Sequence, residues 1–237
     1  MVLWIATVLS NIGTWMQNAG AGWLMAALKP DPFEVALVQA AGTLPMFLFG
    51  LPAGALADIV DRRRLMIGTQ IVATVLALLF TVSLWVNWAT PDWLLVFLFL
   101  SGIAAILVAP AWQAIVPDLV PRQELSAAIA LNGVGFNISR AVGPALAGLT
   151  IAALGMAAPY WLNALSNFVV IGALVWWRGT RTAEQALPAE HFRAAIRGGL
   201  RYARYNPSLR SALIRSAGFF PFASVYWALL QIGRAHV

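Results

Sequence analysis

Seven stretches long and apolar enough to cross a lipid bilayer follow one another along the chain, at Val2 to Leu28, Val35 to Ala57, Leu65 to Trp88, Trp93 to Val116, Leu125 to Leu154, Tyr160 to Trp177 and Leu209 to Leu230. About 20 mostly apolar residues suffice for one crossing. Hydrocarbon offers no hydrogen-bond partners, so each run must satisfy its own backbone as an α-helix. With 61% hydrophobic against 10% charged residues, the chain lacks the polar surface to cover a soluble globule. The expected fold is therefore all-α and integral to the membrane. A six-helix transmembrane bundle is expected over 1–177, a basic cytoplasmic linker over 178–208, and the start of a seventh transmembrane helix over 209–230. The first run has no Lys or Arg ahead of it and is too long for the apolar region of a signal peptide, so it is expected to stay in the membrane.

Charge gives the orientation. Arg62, Arg63 and Arg64 follow the second run, Arg122 the fourth, and Arg178, Arg181, Arg193, Arg197, Arg201, Arg204 and Arg210 the sixth, whereas the alternate loops hold only Lys29. Positive loops stay inside, which predicts a multi-pass protein of the cytoplasmic (inner) membrane with a cytoplasmic N-terminus. Trp85, Trp88, Trp93 and Trp161 fall at the outer ends of spans and Trp176 and Trp177 at an inner one, where interfacial aromatics belong. This distribution explains the net charge of +6 through membrane lipid rather than nucleic acid. In the linker Arg193, Arg197 and Arg201 recur every four residues beside Phe192, Ile196 and Leu200, as in a short amphipathic helix on an anionic leaflet, although Gly198 and Gly199 weaken it. A solvated basic linker is the alternative. Without cysteine there is no thiolate metal site and no thiol nucleophile, and no metal or cofactor is expected.

Polar residues inside spans mark cavities or pathways, because hydrocarbon penalises them. Span one carries Ser10, Asn11, Thr14, Gln17 and Asn18, with Asn11, Thr14 and Asn18 on one helical face. Gln39, Gln70, Gln113, Asn163 and Asn167 extend the set. Such amides either line a cavity or join helices by hydrogen bonds. Asn11, Thr14, Asn18, Gln113, Asn137 and Arg140 are the candidate cavity residues. In span five Gly135, Ser139, Gly143 and Ala147 form a ridge of small residues that admits a close helix neighbour. Pro144 removes one backbone hydrogen bond and permits a bend. Arg140 lies about 22 Å along that helix, too deep to snorkel. All carboxylates sit in or beside loops. Its counter-charge is therefore an anionic substrate, a residue from elsewhere, or backbone carbonyls and water.

Between spans two and three stands Gly54-Ala-Leu-Ala-Asp58-Ile-Val-Asp61-Arg62-Arg63-Arg64. Asp58 there can accept hydrogen bonds from the first amides of a helix, and the arginines can anchor the turn at lipid headgroups. This segment resembles the hallmark loop of the major facilitator superfamily, Gly-x-Leu-Ala-Asp-x-x-Gly-Arg-Arg, with Asp61 in place of the second glycine. Ser10-Asn-Ile-Gly-Thr-Trp-Met-Gln17, Val120-Pro-Arg-Gln-Glu-Leu125 and Arg140-Ala-Val-Gly-Pro-Ala-Leu-Ala-Gly148 are similar to the branch holding enterobactin-type and macrolide-type exporters. The antiporter pattern Gly-x8-Gly-x3-Gly-Pro-x2-Gly-Gly falls on Ala130, Ser139, Gly143, Pro144, Ala147 and Gly148, small residues apart from the proline. The basic residue that the superfamily often carries in span four is absent from Leu94 to Val116.

The resemblance implies a major-facilitator-type N-terminal six-helix bundle, built from two inverted three-helix repeats, in a secondary exporter of small molecules. It further implies alternating access against a second, C-terminal bundle and antiport of protons. Gly54, Asp58, Asp61, Arg62 and Arg63 would form the cytoplasmic gate, with Asp58 and Arg62 as its latch. Gly135, Ser139, Gly143, Pro144, Ala147 and Gly148 would serve helix packing and bending. Arg140 points to an anionic or polar substrate. A non-transporting helical bundle with an assembly or lipid-organising role is the alternative. An enzyme is not expected, since His191 stands in the linker with no cluster of acid, base and nucleophile. The closing Ile232-Gly-Arg-Ala-His-Val237 reads as translated sequencing-library adapter, so residues 231–237 are expected to be foreign to the protein, and the N-terminus is expected to be clipped.

Overall fold

A computed structural model describes residues 2–177, except the side chains of 51, 55, 58, 59, 114 and 118, and residues 201, 204–208, 210, 211, 214–216, 218 and 219. The expected linker helix, seventh span and foreign tail fall wholly or largely outside the described residues. Among the described residues of the first unit stand six long helices: α1 Val2–Leu28, α2 Pro32–Ile59, α3 Arg62–Trp85, α4 Pro91–Leu119, α5 Leu125–Leu154 and α6 Ala158–Trp176. A single 3₁₀ turn, Arg122–Glu124, precedes α5.

The helices start where a cap is available rather than where the apolar run begins. Asp31 accepts the N–H of Phe33 at 2.9 Å and Pro32 opens α2. Asp61 accepts the N–H of Arg64 at 2.9 Å to open α3. Thr90 accepts the N–H of Trp93 at 3.2 Å, followed by Pro91, to open α4. These caps move the starts of α2, α3 and α4 upstream of the hydropathy boundaries at Val35, Leu65 and Trp93. Two positions need special backbone: Gly155, at φ 86, ends α5, and Asn87, at φ 55, turns the chain between α3 and the Thr90 cap. Asp31→Ala is expected to lower stability by about 1 kcal/mol, the usual loss for an N-cap, measurable as a lower melting temperature in detergent.

Apart from α3 and α4, chain neighbours are not the main packing neighbours. The large contacts join α2 to α4, α1 to α5, α1 to α6, α3 to α4 and α3 to α6, every one of them between the first three helices and the last three. Exchanging α1 with α4, α2 with α5 and α3 with α6 leaves this set of pairs unchanged. Two three-helix units of related packing thus interlock, although their sequences show no repeat. Each end pair crosses at a glycine. A Cβ on Gly102 of α4 would lie 2.8 Å from the carbonyl O of Gly42 and 2.9 Å from Cγ of Pro45, both in α2. One on Gly143 of α5 would lie 2.4 Å from Cβ of Trp15 in α1.

Among the described residues five segments, in α2, α3, α4, α5 with its preceding 3₁₀ turn, and α6, are long and apolar enough to cross a membrane. α1 spans 27 residues and packs on both α5 and α6. Its amides and hydroxyls make it less apolar than a helix that faces lipid. Exposed Phe47, Met46, Leu48 and Leu149 cover the flanks of α2 and α5, as a lipid or protein neighbour in the membrane requires. Residues 187–237 form a separate compact unit. In it Asn206 accepts the N–H of Ser208 at 3.1 Å ahead of a helical turn begun by Pro207.

Candidate functional site

Two apolar clusters bracket the bundle core. At the end carrying the α2–α3 turn, Leu3, Met66, Trp112, Ile115, Val116 and Leu174 pack together. At the opposite end, Leu24, Met25, Phe80, Leu94, Phe97 and Tyr160 do so. There Phe80 stacks on Phe97 at 4.3 Å between centroids and meets Tyr160 at 4.8 Å.

Between the clusters lies a cavity of about 550 Å³, within the range of roughly 300–1,000 Å³ usual for small-molecule sites. α1 contributes Thr7, Ser10, Asn11, Thr14 and Gln17 to its wall, and α6 contributes Asn163, Asn167 and Val170. α3 gives Met66, Gln70 and Ala73, and α5 gives Asn132, Gly133 and Phe136. α4 supplies the rest, with Ser101, Trp112 and Gln113 its polar or aromatic members. Every polar residue of this wall among those described is neutral.

Buried amides need partners, since each orphan forfeits its hydration. The α1–α6 seam supplies them. Ser10 Oγ donates to Asn167 Oδ1 at 3.0 Å and Asn163 Nδ2 donates to Gln17 Oε1 at 2.6 Å. Gly13 lets the helices come this close, because a Cβ there would lie 2.6 Å from Ser166 Oγ and 2.8 Å from Asn163 Oδ1. Across the cavity, Trp112 Nε1 donates to Asn132 Oδ1 at 3.2 Å. Asn163 Oδ1 is buried without a hydrogen-bond partner.

Of the residues singled out as cavity candidates in the sequence, Asn11, Thr14 and Gln113 line the cavity, while Asn18, Asn137 and Arg140 do not. Asn18 is exposed. α1 turns its buried stripe toward α6 through Gly13, Gln17 and Gly20, so Gln17 takes the inward position one residue earlier. Asn137 is exposed and donates from Nδ2 to the carbonyl of Gly133 at 2.8 Å, one turn back in its own helix. Arg140 is exposed, with its guanidinium carbon 5.6 Å from the ring centroid of Trp15. An aromatic face that attracts cations is a partner the sequence reading had not weighed. Ser101 and Thr7 were missed as well, since a single small hydroxyl in an apolar run carries no pattern.

The small residues of α5 lie against α1. Gly135, Ser139, Gly143 and Ala147 are its buried residues. Ser139 Oγ donates to the carbonyls of Gly135 at 2.8 Å and of Val8 in α1 at 3.2 Å. Gly148 faces Trp23, and a Cβ there would lie 2.9 Å from its ring. Pro144 lies inside the helix.

At the α2–α3 turn, Gly54 and Asp58 stand in the last turns of α2, and Asp61 caps α3. The side chain of Asp58 falls outside those described. Arg62 is half-buried in the first turn of α3. Arg63 reaches across the bundle: Nε donates to the carbonyl of Leu174 at 2.7 Å and an Nη donates to that of Val175 at 3.0 Å. These are open carbonyls at the C-terminal end of α6, where the helix dipole also favours a cation. The headgroup anchoring read from the arginine run thus gives way, for Arg63, to a contact with α6.

The transmembrane secretion effector family matches residues 1–235. Among curated relatives, the uncharacterized MFS-type transporter YfiS of Bacillus subtilis is 26% identical over 98% of this chain and 54% of its own length. The staphyloferrin A transporter of Staphylococcus aureus is 26% identical over 70% of this chain and 42% of its own. Macrolide efflux protein A of Streptococcus pyogenes is 30% identical over 73% of this chain and 41% of its own. The chain thus spans about half the length of the curated relatives it matches. No solved structure matches it. A polar cavity held among apolar helices and a family match over nearly the whole chain lead to one identification: this chain belongs to the transmembrane secretion effector family of the major facilitator superfamily, a family of multi-pass membrane transporters.

Proposed function

We propose that the chain forms one bundle of a secondary active exporter, which carries a small molecule out of the cell by alternating access to the cavity between α1, α4 and α6. The observation that carries this reading is the cavity itself: neutral hydrogen-bonding groups with an apolar cluster toward each end, in helices otherwise suited to lipid. The arginine-rich α2–α3 turn supports a cytoplasmic position for that end and for the N-terminus. Gly54, Asp58, Asp61, Arg62 and Arg63 would gate the cytoplasmic entrance, Asp58 and Arg62 as its latch, with the Phe80, Phe97 and Tyr160 cluster closing the outer one. A second bundle across the exposed faces of α2 and α5 would complete the site, and Arg140 would meet its counter-charge there. Antiport of protons belongs to the same proposal, following from the small-residue pattern of α5. Relatives bearing the names of a macrolide efflux protein, a multidrug efflux pump and a staphyloferrin A transporter support an exported cargo.

Accumulation of fluorescent drugs in an efflux-deficient bacterium tests this. Cells making the protein should retain less of at least one drug, and an uncoupler of the proton gradient should abolish the difference. Ser101→Trp, which fills the cavity from α4, should raise accumulation to that of cells without the protein while leaving its amount in the membrane unchanged. Efflux undiminished by this bulky ring would remove the cavity from the transport path.

A further inference from the structure

Three amides of the cavity wall have their carbonyl oxygens taken and their nitrogens left over. Trp112 Nε1 donates to Asn132 Oδ1 at 3.2 Å, Ser10 Oγ to Asn167 Oδ1 at 3.0 Å and Asn163 Nδ2 to Gln17 Oε1 at 2.6 Å. At Asn132 the polarity is forced. An indole N–H can only donate, so the amide must turn its oxygen to Trp112 and its nitrogen away. Trp112 is itself held in the apolar cluster at the end carrying the α2–α3 turn. Among the described residues nothing accepts from the nitrogens of Asn132, Asn167 or Gln17. Nor are these nitrogens closed off, since the buried side-chain atoms without a partner are Tyr160 Oη and Asn163 Oδ1. All three residues line the cavity. Gln17 and Asn167 are only 4% and 3% exposed, and that small area is cavity wall. The hydroxyls of Thr7 and Thr14 spend their protons on the carbonyls of Leu3 and Ser10, one turn back in α1. A ligand oxygen at the amide nitrogens restores the hydrogen bonds they make with water, whereas hydrocarbon or a second N–H leaves them unpaired.

We propose that this bundle recognises its ligand by acceptor oxygens such as carbonyls, to which Asn132, Gln17 and Asn167 donate, and that Trp112 sets the polarity by holding the oxygen of Asn132. The proposal rests on reading the cavity as the transport site. It concerns the groups that this bundle contributes, and those of a second bundle would meet other parts of the ligand. A site built to hydrogen-bond one group rejects an analogue that lacks it, because its own polar atoms are then left unpaired.

Two uncharged BODIPY probes of equal length test the proposal by fluorescence anisotropy on the protein purified in detergent. One ends in an N,N-dimethylcarboxamide, which only accepts, and the other in a pyrrole, which only donates. The carboxamide probe should bind at least about tenfold more tightly, the ratio that a single well-made hydrogen bond can supply. Asn132→Leu should weaken the carboxamide probe about tenfold and leave the pyrrole probe unchanged. Trp112→Phe keeps a ring in the apolar cluster but removes the N–H, so that Asn132 can turn its oxygen to the ligand. The pyrrole probe should then bind more tightly and the ratio between the two probes should fall severalfold. A gain in binding cannot come from damage to the fold, so this variant carries the test if Asn132→Leu does not fold. Equal or tighter binding of the pyrrole probe to the unaltered protein, an unchanged ratio in Trp112→Phe, or failure of both probes to bind would overturn the proposal. Transport in proteoliposomes separates the two readings. A carboxamide probe bound but never moved defeats the transport reading and leaves the donor wall standing, whereas selective movement of the pyrrole probe does the reverse.

Discussion

Gly143→Ala is expected to push α5 off α1 and cost about 3 kcal/mol, toward the upper end of what overpacking usually does. The added methyl would stand 2.4 Å from Cβ of Trp15 and 3.3 Å from both the carbonyl O of Ile12 and the N of Met16. None of these atoms is the end of a flexible side chain, so relief must come from moving one helix against the other. Gly102→Ala should act in the same direction at the α2–α4 crossing, where its methyl meets a carbonyl and a proline ring. Gly68→Ala is the counterpart. Nothing lies within 4 Å of a Cβ at Gly68 in α3, and alanine there should raise stability by up to about 1 kcal/mol through helix propensity. Thermal unfolding of the three variants in one detergent checks the pair of signs. Equal effects at Gly143 and Gly68 would mean that the α1–α5 crossing is looser than described.

Arg63→Ala should detach the α2–α3 turn from the end of α6. Two hydrogen bonds from a cation to helix-terminal carbonyls are lost, which puts the effect at about 2–3 kcal/mol. Arg63→Lys should recover only part of it, since an ammonium cannot span the carbonyls of Leu174 and Val175 with the planar fork of arginine. Hydrogen–deuterium exchange near Leu174 and Val175 should speed up in the alanine variant. Protection there equal to that of the unaltered protein would show that the contact holds nothing in place. The contact ties the α2–α3 turn, the proposed gate, to α6, so motion of one must be felt by the other.

The helical membrane fold could be read from hydropathy because lipid forces each spanning segment to satisfy its own backbone. The edges of α1 and α5 coincide with their apolar runs. Those of α2, α3 and α4 do not, because Asp31, Asp61 and Thr90 begin the helices inside the interfacial loops. Spacing in sequence identifies a face but not what covers it. The interval of four from Gly135 to Ala147 marks one side of α5, yet only the register of α1 decides that Trp15 comes to lie beside Arg140. The same register brings Gln17, rather than Asn18, to the seam with Asn163. The relation between the first and last three helices came from the family resemblance alone, since related contacts can form without related residues.

Alternating access is the central claim, and the absence of cysteine from the sequence makes it directly measurable. Ser101→Cys places one thiol in the cavity wall, to be challenged with a membrane-impermeant maleimide in intact cells and in inside-out vesicles. Labelling from both sides, with a transported drug changing the balance between them, is the predicted result. Labelling from one side alone, or from neither, would contradict a cavity that opens in turn to each face of the membrane.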